Sequence, residues 1–142
     1  MKLVHVSAAL IFRTLPSGTR QIFATQRGYG EWRGWWEFPG GKIEARESPQ
    51  TALKREIREE LDTEIRVGSH IATINYDYPA FHLHMDCFAC EVVSSSLTLL
   101  EHESAAWLTA RTLRTVRWLP ADEIILDKVA LFLQSRDSET MR

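Results

Sequence analysis

Residues 40–61, GGKIEARESPQTALKREIREEL, join two adjacent glycines to a stretch whose apolar and charged positions repeat with a helical period. Ser48-Pro49 marks the helix start. The serine oxygen caps free backbone amides, and proline in the first turn lacks only an N–H the helix does not use. From there to about Leu61, the residues Leu53, Ile57 and Leu61 fall four apart on a core-seeking face. Glu56, Glu59 and Glu60 fall at i, i+3 and i+4 on another face, where each like-charged pair costs roughly a few tenths of a kcal/mol. An exposed helix on which Lys54, Arg55 and Arg58 offset that repulsion is the plain reading. The glycines after Phe38-Pro39 favour a different one: a loop of special backbone geometry that can approach a ligand closely. Oxygen-only ligands at helical spacing suit a hard divalent ion such as Mg²⁺ or Mn²⁺, and the natural client of such an ion is a phosphate chain.

The rest of the chain reads as an α+β domain. Strands are expected over 3–13 and 20–27, joined by a turn at Pro16-Ser17-Gly18, and again near 66–77, 81–93 and 105–109. An aromatic-rich loop, Tyr29 to Phe38, precedes the glycine pair. A final helix is expected over 121–134, with Ile124, Ile125, Ala130, Leu131 and Leu133 forming a buried stripe. The 142 residues suffice for one cored domain, assigned to 1–134, with 135–142 expected as a disordered tail.

Several function classes are disfavoured. A net charge of −2 does not suit a nonspecific nucleic-acid binder. No apolar run is long enough to span a membrane. The amino-terminal run carries His5 and Ser7 and lacks a cleavage-type stretch, so a first strand is expected rather than a signal peptide, and with it a cytoplasmic location. Cys87 and Cys90 have a redox-like spacing, but in an alternating strand residues three apart point to opposite faces and share neither a disulfide nor a metal. His82 and His84 do share a strand face. A ligand pair is one reading, and two solvent- or pocket-facing histidines are the plainer one.

Gly41, five residues, Glu47, seven residues, then Arg55-Glu56-Ile57-Arg58-Glu59-Glu60 resembles the Nudix box. One departure stands out. The box's late glycine is Asp62, followed by Thr63 where an aliphatic residue is usual, and a left-handed helix end is expected there at some cost. The resemblance implies the Nudix fold, a mixed sheet sandwiched between helices, and metal-dependent hydrolysis of a nucleoside diphosphate linked to another group. It implies that Glu56, Glu59 and Glu60 ligate the metal with the Gly40 carbonyl beside them, and that Glu47 and Arg55 brace loop against helix.

Beyond the box, most of the chain is similar to MutT-type nucleoside triphosphate pyrophosphohydrolases. Trp36-Glu37-Phe38-Pro39-Gly40-Gly41-Lys42 resembles their approach to the box. By the same resemblance Arg27 faces phosphate, Tyr78 or Phe81 stacks on the base, Glu101 completes the metal site, and Asp122 reads the base. The plain alternatives are a surface charge for Arg27, core packing for Tyr78 and Phe81, a solvated loop residue for Glu101 and a helix cap for Asp122. Glu56 or Glu101 is the expected general base. The implied products are a nucleoside monophosphate and pyrophosphate. An ionised Asp122 favours (d)CTP-like substrates or 8-oxo-dGTP over plain dGTP, unless a dry pocket keeps it protonated. A monomer or homodimer with a small nucleotide as partner, and no nucleic-acid polymer, is expected. Other Nudix substrates (ADP-ribose, a dinucleoside polyphosphate or capped RNA) and a non-catalytic nucleotide-binding module are the rival readings.

Overall fold

In the computed structural model, which describes residues 1–93 and 102–140, seven strands and three helices follow one another as β1 (Lys2–Thr14), β2 (Arg20–Arg27), β3 (Trp36–Glu37), β4 (Gly40–Lys42), α1 (Pro49–Leu61), β5 (Ile65–Tyr78), β6 (Phe81–Val92), β7 (His102–Leu108), α2 (Pro120–Glu123) and α3 (Leu126–Thr140). β1 organises the sheet. It pairs in parallel with β6 from Lys2↔Phe81 to Ile11↔Cys90 and antiparallel with β4 through Val6–Ala8. At its far end, Phe12–Thr14 pair antiparallel with β2. β5 and β6 form a hairpin turning at Pro79-Ala80, and β2 pairs with β7 along one edge and, on the edge it offers to β1, with β3.

Residues 8–11 of β1 are buried throughout because both faces of the strand are covered. Ala9 and Ile11 pack with Phe88, Cys90 and the Leu53, Ile57 and Leu61 stripe of α1. Ala8 and Leu10 pack with Met85, Cys87 and, from the last part of the chain, Ile125, Leu126 and Val129. Helices therefore cover the mixed sheet from both sides. Burying each Leu or Ile in these layers contributes about 1.5–3 kcal/mol. Cys87 and Cys90 lie in different layers, both as free thiols. Burial pushes the Cys90 thiol up to about 12 and raises that of Cys87 as well, so both are held as inert thiols.

Three expectations need correction. The glycine pair is not a turn: Gly40 and Gly41 lie within β4. They are required by proximity, since a Cβ on Gly40 would lie 2.0 Å from the Ser7 carbonyl oxygen and one on Gly41 would lie 2.4 Å from Glu56 Cδ. The final helix is two helices, α2 and α3, separated at Ile124-Ile125. The break reorients the apolar stripe, so that Ile125, Leu126, Val129 and Leu133 are buried, whereas Ile124 is 52% and Leu131 67% exposed. The helix also continues to Thr140, past the expected domain end at Gln134, while Met141 and Arg142 lie outside the described residues.

α1 begins as its sequence dictates, with Ser48 Oγ accepting from the Thr51 amide at 3.1 Å and Pro49 in the first turn. It ends at Asp62, which takes the left-handed conformation at φ 47°, ψ 44° and donates its N–H to the Arg58 carbonyl. An aspartate there is strained where a glycine is not. Asp62→Gly is therefore expected to stabilise the fold by a few tenths to about 1 kcal/mol, net of the extra unfolded-state freedom of glycine. Thermal melting checks this, and an unchanged or lower midpoint would show that the aspartate side chain offsets its own strain.

Candidate active site

Arg55 ties β4, the following loop and α1 together. Its Nε and Nη2 donate to the two carboxylate oxygens of Glu47, each at 2.8 Å. Nη2 also reaches the Lys42 carbonyl at 3.0 Å, and Nη1 donates to Glu56 Oε1 at 2.8 Å and to Glu59 Oε2 at 3.4 Å. The pair expected to join loop and helix is thus in bidentate contact. The hydrogen bonds from Arg55, with a second contribution from the Glu44 amide, hold the Glu47 carboxyl down at about 2. The Arg55 guanidinium is raised in turn, chiefly by Glu47 and then Glu56.

The three glutamates differ in their surroundings. Glu56 is 17% exposed and lies against the bare backbone of Gly41. Glu60 lines a cavity beside Gly40 and Gly41. Glu59 is 60% exposed and turned toward Arg55. Among the described residues, the trio of candidate ligand atoms lying within 4.8 Å of one another is His5, His84 and Asp86, not these three carboxylates. Glu101, expected beside them, lies outside the described residues.

The cavity above β4 has two lobes that share Val6, Arg27, Gly40, Gly41, Phe81 and Leu83. The first, about 510 Å³, is the charged lobe, with Lys2, Lys42, Glu37 and Glu60 on its walls. The second, about 330 Å³, is walled by Trp32, Phe38 and Tyr78, with Asp122 at its end. Ser7 also borders this lobe, and its buried hydroxyl lacks a hydrogen-bond partner among the described residues. Arg27 meets Glu37 through Nε at 3.0 Å and Nη2 at 3.3 Å. Burial alone would lower the arginine pKa, but Glu37 outweighs it and the net shift is upward.

Tyr78 is part of the core. Its hydroxyl accepts the Ala121 amide at 3.1 Å, its ring stacks on Phe81 at 5.2 Å, and burial pushes its phenol up to about 12. Phe81 is the less buried of the two and borders both lobes. Asp122 is not a helix cap. The residue preceding α2 is Leu119, and the Asp122 carboxylate instead accepts the Phe38 amide at 2.9 Å. At 4% exposure, burial and then the nearby Glu37 charge push its carboxyl up to about 8. Lys2, Trp32, Glu37 and Lys42 were left unassigned in the sequence. The signal for Trp32 is its place between Gly30 and Gly34, both at positive φ, in the aromatic-rich loop.

The depressed Glu47 carboxyl links the brace to acid stability. A carboxyl lowered in the folded state contributes stability above its ordinary value near 4.5, and that stability is lost as pH falls toward about 2. Arg55→Ala is expected to lower the melting temperature at neutral pH and to flatten the loss of stability between these limits. Thermal melts at several pH values test it, and parallel wild-type and variant profiles would refute the link.

Comparison with known proteins identifies the family and the fold. Residues 4–139 match the family described as the NUDIX domain. A CTP pyrophosphohydrolase of Escherichia coli (strain K12) is 29% identical over 139 residues, 98% of this chain and 100% of the relative. An 8-oxo-dGTP diphosphatase of Proteus vulgaris is 32% identical over 98 residues, 68% of this chain and 84% of the relative. The solution structure of the E. coli ORF135 protein superposes with a TM-score of 0.74 at 32% identity, covering 92% of this chain and 91% of that one. The fold is also that of the MutT NUDIX hydrolase from Burkholderia pseudomallei, with a TM-score of 0.79 at 23% identity over 91% of this chain and 99% of that one. With the domain signature spanning nearly its whole length, the chain belongs to the Nudix family of hydrolases.

Proposed function

We propose that the chain hydrolyses a nucleoside triphosphate to the monophosphate and pyrophosphate, with Mg²⁺ as cofactor and Mn²⁺ as a substitute. The observation that carries this reading is the two-lobed cavity, whose charged lobe borders Glu60 and whose aromatic lobe ends in a buried carboxyl. Relatives named CTP pyrophosphohydrolase and 8-oxo-dGTP diphosphatase support a triphosphate over ADP-ribose or a dinucleoside polyphosphate. The donor set fits a hard divalent ion. It is all oxygen, from Glu56, Glu59, Glu60 and the Gly40 carbonyl, and the missing side chain of Gly41 lets the Glu56 carboxylate lie against β4. When bound, such an ion neutralises phosphate charge and makes water more acidic.

The chain's own residues do the rest. Arg27, Lys2 and Lys42 offer positive charge to the triphosphate, and Glu37 holds the Arg27 guanidinium in one orientation. Glu56 or Glu101 takes the proton of the attacking water. Arg55 keeps Glu56 pinned while Glu47 keeps Arg55 pinned. Trp32 and Phe81 flank the base, and Tyr78 backs Phe81 rather than stacking on the base itself. Glu56→Gln and Glu60→Gln are each expected to lower kcat at least about a hundredfold while the fold survives. Pyrophosphate release with Mg²⁺ supplied and circular dichroism provide the readouts, and near-normal turnover would overturn the assigned site.

Asp122 sets the base preference. With its pKa near 8 it is protonated at neutral pH. One oxygen accepts from Phe38, leaving the acid O–H to donate to a keto oxygen such as O6 of guanine or its oxidised form. Above that pH the carboxylate only accepts, and so favours the exocyclic amine of cytosine or the N7–H of 8-oxoguanine over the edge of plain guanine. The dry pocket thereby removes the expected bias against the guanine edge. The ratio of kcat/KM for CTP to that for plain dGTP is expected to rise as pH increases through about 8. In Asp122→Asn the ratio is expected to be flat. A ratio that moves equally in both proteins would exclude Asp122 as the reader.

A further inference from the structure

The parallel pairing of β1 with β6 sets His5 beside His84 and Ser7 beside Asp86. Val4 and Val6 face the cavity, so His5 between them projects from the opposite face of the sheet. There His5 Nε2 lies 2.7 Å from Asp86 Oδ2, and His84 Nε2 lies 3.7 Å from the same oxygen. The two imidazole rings meet edge-on with centroids 4.5 Å apart. One candidate ligand atom from each of these three residues lies within 4.8 Å of the other two.

The surrounding bonds orient two of these side chains. His84 Nδ1 is 3.0 Å from Asn75 Oδ1, an oxygen that only accepts, so Nδ1 is the donor in that contact and Nε2 is the nitrogen turned toward Asp86. Nε2 and Asp86 Oδ2 stand 3.7 Å apart, beyond direct hydrogen-bond range. The other carboxylate oxygen, Asp86 Oδ1, is held by the Thr73 hydroxyl at 2.7 Å and by His70 Nε2 at 3.1 Å, which turns Oδ2 toward His5 and His84. Burial pushes the Asp86 pKa up, but hydrogen bonds from His5, Thr73 and His70 outweigh it, and the carboxyl is held below its usual range. Neighbouring ligand atoms in a tetrahedral zinc site stand about 3.4 Å apart, and the separations of 2.7 and 3.7 Å straddle that spacing. His82 is not part of this group, because its ring nitrogens go to Asp77 and Asn75.

We infer that His5, His84 and Asp86 form a second metal site, separate from the box glutamates and suited to Zn²⁺ or a similar transition-metal ion. Two imidazole nitrogens and one carboxylate oxygen, with a position left for water, match borderline ions rather than Mg²⁺. Asn75 and Thr73 are positioning residues that orient His84 and Asp86. The ion would cross-link the two strands whose parallel ladder forms the centre of the sheet.

Calorimetric titration of the full chain with Zn²⁺ in chelator-free buffer tests the inference, alongside Co²⁺ as a visible-absorption probe. The wild type and Glu60→Gln are both expected to bind one equivalent at this site and to give the absorption of four-coordinate Co²⁺. His84→Ala is expected to lose that absorption and to weaken Zn²⁺ binding at least about tenfold, with Asn75→Ala weakened in the same sense. Zn²⁺ is expected to raise the melting temperature of the wild type but not of His84→Ala. Pyrophosphate release with Mg²⁺ is expected to be unchanged in His84→Ala. The inference is overturned if wild type and His84→Ala bind Zn²⁺ alike, if Glu60→Gln alone abolishes binding, or if the wild type binds none. The His84 ring is partly exposed, so His84→Ala is expected to fold.

Discussion

The site depends on one side chain that lies outside the cavity. The Arg55 guanidinium spends its donors on Glu47, Glu56, Glu59 and the Lys42 carbonyl, which belong to α1, β4 and the loop between them. Three carboxylates crowded onto adjacent turns repel, and a planar guanidinium with five N–H groups can satisfy several of them at once where a lysine cannot. Without it, Glu56 would have no reason to lie against Gly41. Apolar contacts between helix and sheet set their distance but not the orientation of a carboxylate.

The sheet serves different purposes on its two faces. On one, β1 and β6 present Val6 and Leu83 as the floor of the cavity; on the other, the same strands present His5, His84 and Asp86. The far end of the cavity is closed by a nonlocal strap. Trp36 exchanges backbone hydrogen bonds with Arg117 and Leu119, the Trp118 ring packs at a tilt against Phe38 with centroids 4.5 Å apart, and Asp122 accepts from the Phe38 amide. This strap removes Asp122 from water, and that desolvation is what makes a carboxyl there protonatable at neutral pH.

What was legible in the sequence was local. Ser48-Pro49 and the Leu53, Ile57, Leu61 stripe define α1 because capping and helical period act within a few residues. The alternation around Cys87 and Cys90 separates the two thiols because strand period acts equally close by. β3 and β4 were not legible. They have two and three residues, and partners in β2 and β1 rather than any propensity of their own make them strands. The glycine pair was noticed for the wrong reason, since its need comes from Ser7 and Glu56, which no local pattern links to it. Leu131 was placed in the core because an unbroken helix was assumed. His5 was not joined to His84 because only the parallel register of β1 and β6 brings them together.

The same parallel register bears on how the chain folds. β1, near the amino terminus, finds its longest ladder with β6, so this pairing must close a loop of most of the domain before any of its hydrogen bonds form. The hairpin of β5 and β6 and the helix α1 can form earlier from neighbouring residues. By the same separation in sequence, β1 is expected to join the sheet late. Folding should therefore be slow for a chain of this size, and the most protected backbone amides should be those of residues 8–11. The cavity and the hydrophobic core would then be lost together on unfolding, with no partly unfolded form that keeps a working site.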